Sequence, residues 1–107
     1  MRRFHLALGV KNLDRSIEDY SKRLGCGPEA VVKGKYALWR MEGVNFSVRV
    51  VKSGVGRLRH VGWEDPEARR FTSSKDVNGI VWENFSAKQQ REEIREVFGK
   101  KHCLFGG

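Results

Sequence analysis

The sequence predicts a single α+β domain in which strands outnumber helices. The segment FHLALGV alternates bulky apolar residues with small ones, which is the period of a half-buried strand. The next segment, LDRSIEDYSKRL, repeats its apolar residues at helical spacing instead. Short β-rich segments follow, separated by glycine-containing turns. A chain of 107 residues is long enough for one domain with one core.

Five elements are predicted in the first half of the chain. A strand over 4–10 leads into a helix over 13–24, which Asn12 caps and Gly25 ends. Three further strands follow in the segments AVV, KYALWRM and NFSVRVV, and the last two are joined by the tight turn EGVN. The predicted order is therefore strand, helix, strand, strand, strand.

The second half of the chain is shorter and less regular. RLRHVGW and GIVWENF predict two strands, and alternation along the first places His60 on one face and Arg59 on the other. Between them, the polar segment EDPEARRFTSSKD has room for at most a short helix. Ser86 and Gln89 fit a capping box at the start of a closing helix over 87–98. No element is predicted in the tail KKHCLFGG.

The net charge of +8 lies entirely in the first half of the chain. Residues 1–59 contain thirteen Lys and Arg against five Asp and Glu, whereas residues 60–107 contain eight of each. This surplus favours anionic partners such as small acids, phosphates or nucleic acid, although a solvated basic face explains it equally. No apolar stretch reaches membrane-spanning length and no signal-like region follows Met-Arg-Arg, so we expect a cytoplasmic protein.

Three residues are candidates for a metal site. His5 and His60 each lie near the start of a predicted strand, and Glu83 lies in the middle of another. Two imidazoles and one carboxylate can hold Fe, Mn, Ni or Zn and leave coordination positions open for substrate. Open positions are required because a metal polarises a substrate only where substrate oxygens reach it. Taken singly, each residue also fits an ordinary hydrogen-bonded strand position, so composition leaves both interpretations open.

Three motifs carry a family resemblance: HLALGVKNLDRSIEDYSKRLG at the head of the βαβββ run, RHVGWE, and DVNGIVWENF. Together they resemble the vicinal oxygen chelate superfamily, which includes glyoxalases, extradiol dioxygenases, and bleomycin- and fosfomycin-resistance proteins. The resemblance covers about residues 1–86. It implies a glyoxalase-like half-barrel cup, and it implies that His5, His60 and Glu83 are the metal ligands.

The chain departs from the pattern of that superfamily in having a shortened second half within its single domain, 1–107. Residues 1–51 form a complete βαβββ module, residues 58–86 lack a helix and at least one strand of the second module, and 87–98 is the C-terminal helix. We expect that helix to pack where the missing one would lie, or a second chain to complete the cup. Because a reduced cup leaves apolar strand surface uncovered, we predict a homodimer.

The last strand of the first module contains no usual metal ligand. Four-ligand members of the superfamily have a carboxylate there, but NFSVRVV offers Asn45, Ser47 and Arg49. The site is therefore of the three-ligand type, or it holds no metal. The planar guanidinium of Arg49 suits a carboxylate or phosphate, and we predict Arg49, Ser47 and Trp39 as substrate-binding residues.

Three functions follow from these observations. The resemblance implies a metal-dependent dioxygenase, lyase or isomerase acting on a small oxygen-chelating or anionic substrate. The alternative is a non-catalytic dimer of the same fold that sequesters a small aromatic or anionic compound, as resistance proteins of the superfamily do. The third is an RNA-binding module, because LGVKNL and KGKYALW loosely resemble RNP motifs. That fold needs a helix after KYALWRM, where the chain turns at once into NFSVRVV.

Overall fold

Eight strands form one mixed sheet with two helices in the computed structural model, which describes residues 1–99 and the strand Cys103–Phe105. The α+β class is therefore confirmed. The sheet order is β6-β7-β5-β1-β4-β3-β2-β8. The elements in chain order are β1 (Arg3–Val10), α1 (Leu13–Leu24), β2 (Ala30–Val32), β3 (Tyr36–Met41), β4 (Val44–Val50), β5 (Leu58–Glu64), β6 (Thr72–Lys75), β7 (Val81–Phe85), α2 (Ala87–Phe98) and β8 (Cys103–Phe105).

Both helices begin and end where the sequence predicts. The Asn12 side chain accepts a hydrogen bond of 3.0 Å from the backbone N–H of Arg15, and Gly25 ends α1 in the left-handed conformation with φ 79°. The Ser86 and Gln89 side chains form the predicted capping box of α2. Among the described residues, no helix has the length and apolar composition needed to cross a membrane.

Two segments differ from the prediction. The polar segment after β5, where at most a short helix was expected, folds into turns and the strand β6. This strand pairs antiparallel with β7, so tertiary pairing decides the conformation of a segment whose local preference is weak. In the tail, β8 pairs antiparallel with β2, although no element was predicted there. Residues 100–102 and 106–107 of the tail lie outside the described part.

The sheet consists of two similar halves that meet at the antiparallel pair of β1 and β5. In one half β1 runs parallel to β4, and β3 and β2 follow outward. In the other half β5 runs parallel to β7, and β6 follows outward. The chain from β5 to β7, all of it described, contains no counterpart of α1 or of β2.

The two helices cover opposite faces of the sheet, which we call the α1 face and the α2 face. Neighbouring residues of β3 alternate between the two cores, as the pleat of a strand requires. The α2 face also bears His5, because Gln90 of α2 hydrogen-bonds to Asn45, the strand partner of His5. A counterpart of α1 would pack on the α1 face, whereas α2 packs on the α2 face. This differs from the first of our two expectations, that the closing helix packs where the missing helix would lie. The α1 core contains Val10, Leu13, Ala37, Trp39 and Val48, and the α2 core contains Ala30, Val32, Tyr36, Leu38 and Ile94.

The α1 face of the second half has no described helix over it. Three aromatic residues meet there: the Phe4 ring centroid lies 5.2 Å from that of Trp63 and 6.1 Å from that of Trp82. The Arg2 guanidinium lies 4.4 Å from the Trp63 ring centroid, and Trp82 remains 36% exposed. The helix α1 covers this face in the first half of the sheet. In the second half, the aromatic side chains on the same face are therefore partly open to solvent.

Candidate metal centre

Strand pairing brings the three predicted ligands together on the α2 face. His5 of β1 is opposite Gly62 of β5, and Gly62 is in turn opposite Glu83 of β7. His60 is opposite Ala7, so the two imidazoles lie diagonally across the pair of β1 and β5. Because Ala7 and Gly62 carry little or no side chain, the three longer side chains can turn toward one another. The small residues noted in FHLALGV thus surround His5.

Three ligand atoms converge on one point. His60 Nε2 lies 2.9 Å from His5 Nε2 and 2.9 Å from Glu83 Oε1, and His5 Nε2 lies 4.0 Å from Glu83 Oε1. Ligand bonds of about 2.0–2.2 Å to a transition metal place the donor atoms of one ion roughly 3–4 Å apart. His5, His60 and Glu83 are therefore a possible metal-binding triad, and their spacing fits a single ion.

The tautomer of His5 is set by Asn45. His5 Nδ1 lies 2.8 Å from Asn45 Oδ1, while Asn45 Nδ2 donates at 2.8 Å to Glu64 Oε1 and at 2.8 Å to Gln90 Oε1. An ionised carboxylate only accepts hydrogen bonds, so the amide nitrogen of Asn45 must face Glu64 and its oxygen must face His5. His5 therefore donates from Nδ1, and its Nε2 lone pair points toward His60 and Glu83.

The carboxylate of Glu64 anchors this arrangement. Arg40 donates to it twice, at 2.7 and 2.9 Å, and Arg3 donates once at 2.7 Å. Burial alone would raise the pKa of Glu64, but hydrogen bonds from Arg40 and Asn45 and the charges of Arg40 and Arg3 lower it to about 2. Glu64 is therefore ionised at neutral pH, as the orientation of Asn45 requires.

His5 is in the protonation state that a metal ligand needs. Its ring is 2% exposed, and burial lowers its pKa below the ordinary 6.5. The hydrogen bond to Asn45 and the charge of Glu83 oppose this effect, while the neighbouring His60 adds to it. A neutral imidazole at physiological pH offers its lone pair to a metal without first losing a proton.

A cavity of about 150 Å³ opens beside the triad. Drug-sized ligands occupy pockets of about 300–1,000 Å³, so this cavity suits a compound of few atoms. Two of the predicted substrate-binding residues, Ser47 and Arg49, line it, together with the three residues of the triad. Its remaining lining residues are Tyr36, Arg59, Phe71, Phe85, Gln90, Glu93, Ile94, Val97 and Phe98.

Trp39, the third predicted substrate-binding residue, does not reach the cavity, and that prediction is wrong. Its side chain is 0% exposed and packs in the core of the α1 face, where its Nε1 donates to the carbonyl of Cys26 at 3.0 Å. Alternation along β3 sends Tyr36 to the cavity instead. Burial, which outweighs the neighbouring Ser47 and arginines, raises the pKa of Tyr36 to about 12, so its hydroxyl stays protonated.

Arg59 lines the cavity although simple alternation places it on the other face. Ala7 is opposite His60 but Leu8 is opposite Leu58, so Arg59 is an extra residue in the ladder of β5. Such a bulge redirects a side chain, and here it leaves Arg59 and His60 beside the same cavity. Burial lowers the pKa of Arg59, and the charge of Arg49 lowers it further. No local signal in RLRHVGW predicts the bulge.

Ser47 occupies the position that corresponds to Glu83 in the other half of the sheet. Ser47 is opposite Ala7 on the parallel neighbour of β1, as Glu83 is opposite Gly62 on the parallel neighbour of β5. A serine hydroxyl is a poor ligand beside imidazole and carboxylate groups. The sheet therefore offers three strong protein ligands, and further coordination positions would face the cavity.

No protein-family model matches the sequence, and no curated protein matches it. Among solved structures, the chain is similar to the crystal structure of a hypothetical protein from Staphylococcus aureus. The two are 15% identical, with a TM-score of 0.55 over 79% of this chain. The chain spans about a third of that protein, 34% of its length. At this identity the similarity is one of fold alone.

Proposed function

We propose that the protein holds a divalent transition metal, Fe, Mn, Ni or Zn, on His5, His60 and Glu83. We further propose that it is a vicinal oxygen chelate protein acting on a small oxygen-bearing substrate, as a dioxygenase, lyase or isomerase. The observation that supports this best is the convergence of three ligand atoms within 4.0 Å, with His5 Nδ1 already engaged by Asn45.

Hydrogen bonding alone does not satisfy the three atoms. His5 Nε2 and Glu83 Oε1 each offer a lone pair to the same nitrogen, His60 Nε2, at 2.9 Å. That nitrogen carries a single N–H, which cannot point at both acceptors. A metal ion would accept all three lone pairs at once, and two imidazoles with one carboxylate are a common ligand set for Fe, Mn, Ni and Zn.

The arrangement of strands also supports the proposal. The resemblance implies a complete βαβββ module followed by a reduced one, and this sheet has two similar halves that meet through β1 and β5. His5 and His60 then occupy corresponding places in the two halves, and so do Ser47 and Glu83. In this proposal the α2 face is the inner wall of a half-barrel cup whose second module has lost one helix and one strand.

Each group around the site has a separate task in this proposal. A metal bound there would polarise substrate oxygens as a Lewis acid. Asn45 keeps the His5 ring in one orientation, so its lone pair needs no reorganisation. Gly62 and Ala7 leave room for the ligands, and the apolar rings of Phe71 and Phe85, stacked at 5.3 Å between centroids, shield one side of the cavity from water.

A cobalt titration tests the metal site. Co²⁺ binds the same ligand set, and its visible absorption reports coordination directly. We expect one Co²⁺ per chain in the wild-type protein and at least a tenfold loss of affinity in Glu83→Gln. Glu93→Gln is the matched control, because Glu93 lines the same cavity without belonging to the triad. Equal affinities in the two variants, or no Co²⁺ spectrum in the folded wild type, would reject the site.

A sequestering dimer is the second candidate, because the second half leaves aromatic surface exposed. We propose that another copy of the chain covers the rings of Phe4, Trp63 and Trp82, since no described helix does so and β6 ends the sheet beside them. Light scattering should then show a dimer that Trp82→Glu dissociates. Val77→Glu, at a residue 98% exposed, should leave it intact. A wild-type monomer would contradict this proposal.

A further inference from the structure

Two arginines face the cavity beside the triad, and no carboxylate of the described residues forms a direct contact with either of them. Neither Arg49 nor Arg59 forms a hydrogen bond or ion pair with another residue of the described part, 1–99. The other strand arginines on the α2 side differ: Arg40, for example, is held by Glu64 and Glu29. Burying a guanidinium costs free energy, because the charge loses part of its hydration. Where no carboxylate contacts the guanidinium, a negatively charged ligand can offset that cost.

The fold holds both guanidiniums in place. Arg49 lies over the ring of Phe98, with its Cζ 5.2 Å from the ring centroid, which fixes one side of the planar group. The same Phe98 ring lies 5.3 Å from the ring of Tyr36. Arg59 is brought to the cavity by the β-bulge in β5, the residue before His60. Both positions therefore depend on built features rather than on flexible surface side chains.

The carboxylates of the cavity make no direct contact with the pair. Glu83 has its Oε1 2.9 Å from His60 Nε2 and would be occupied by the metal, while Glu93 is an exposed residue of α2. The phenol of Tyr36, protonated at neutral pH, adds a neutral hydrogen-bond donor to the two cations. The cavity thus offers two forked cations and a hydroxyl beside the triad, which is the donor set that suits an oxyanion.

We propose that Arg49 and Arg59 form a subsite for an oxyanion, a carboxylate or a phosphoryl group, in the cavity beside the metal ligands. The cavity volume of about 150 Å³ accommodates a small organic acid or phosphorylated compound. The subsite itself requires no metal. That its occupant is a substrate rests on the proposed function.

The test uses the metal-free protein, prepared with a chelator and checked for folding. Inorganic phosphate and acetate are titrated at constant ionic strength, with chloride as the reference anion. Binding is followed by calorimetry and by the arginine Nε–H signals in NMR spectra, assigned from Arg49→Gln and Arg59→Gln. Arg57→Gln is the matched control, because it removes the same charge from an exposed neighbour of Arg59 that does not line the cavity.

We expect saturable binding to the wild type, weakened at least tenfold in Arg49→Gln and Arg59→Gln and less than twofold in Arg57→Gln. Preference for phosphate assigns a phosphoryl group, and equal binding of acetate assigns a carboxylate. Equal losses in all three variants would overturn the subsite, since only general charge would then be involved. Binding seen only after metal is added would overturn it too, while leaving the metal site intact. Anion binding without any metal uptake would keep the subsite and reject the proposed function.

Discussion

Replacing Glu64 with Gln should destabilise the protein strongly at neutral pH. Folding lowers the pKa of Glu64 from 4.5 to about 2, and its side chain is 3% exposed, so little solvent screening reduces the effect. Since one pKa unit corresponds to about 1.4 kcal/mol, the ionised form stabilises the folded state by about 3 kcal/mol. Glu64→Gln loses this and leaves Arg40 without its closest charge partner, so we expect a loss of at least about 3 kcal/mol.

The pH dependence gives this prediction its sign. Because the folded-state pKa lies below the unfolded one, the stabilisation is complete above about pH 5 and is lost as the pH falls toward 2. The free energy of unfolding of the wild type and of Glu64→Gln is measured with urea, from neutral pH down to the lowest pH at which both proteins fold. The difference between the two proteins should shrink as the pH falls. Glu67→Gln, at an exposed residue, is the control and should change little. A difference below about 1 kcal/mol at neutral pH, or one independent of pH, would show that the ionised Glu64 does not stabilise the fold in this way.

Two further substitutions test the environment of the site. Asn45→Leu removes the acceptor that fixes the tautomer of His5. In the variant that still folds, the metal affinity measured by calorimetry should therefore fall about 10–100-fold. Unchanged affinity would show that Asn45 does not orient the ligand. Gly62→Ala brings a Cβ into collision with the backbone oxygen of Glu83, so β7 must shift. We expect the free energy of unfolding to fall by more than about 1 kcal/mol, seen as a lower midpoint of thermal unfolding. Metal binding should weaken as well. Gly27→Ala, where a Cβ meets nothing within 4 Å, should match the wild type, and equal behaviour of the two variants would contradict the close approach of β5 and β7.

The elements with strong local signals were predictable from the sequence. The helix α1 has an N-cap, a period of apolar residues and a terminal glycine, and its observed bounds, Leu13–Leu24, are those predicted. The helix α2 likewise runs over Ala87–Phe98 behind its capping box. The strand β6 was missed because its residues are all exposed and its conformation comes from pairing with β7, a contact that local sequence does not encode.

The parts of the candidate site that depend on the type of a residue were predictable from the sequence. The parts that depend on the register of the strands were not. His5, His60 and Glu83 were selected as chemical ligands, and the strand pairing brings their ligand atoms together. Trp39 was misplaced because the face of a strand depends on its register in the sheet, which an aromatic residue does not reveal. Arg59 was missed because a single bulge residue reverses the alternation on which its predicted face depended.

The groups that support the triad were beyond sequence reasoning for a different reason. Asn45 and Glu64 are separated from His5 by 40 and 59 positions, and they meet only because β4 and β5 flank β1. Sequence reasoning named Asn45 among the residues of the last strand of the first module, but it could not show that its amide is held between a carboxylate and an imidazole. Glu64 ends β5 as an ordinary acidic residue in the sequence, and its buried pairing with Arg40 depends on the complete sheet.

Native mass spectrometry of the purified protein, before and after a chelator, tests the metal site most directly. We expect one transition metal per chain, removed by the chelator and restored by Fe, Mn, Ni or Zn. His60→Ala should abolish this uptake, because it removes the ligand that lies 2.9 Å from both other donor atoms. A folded wild-type protein that is purified without metal and takes up none of the four ions would contradict a metal site on His5, His60 and Glu83. The cavity would then be a binding site in which His5 and His60 are polar wall residues.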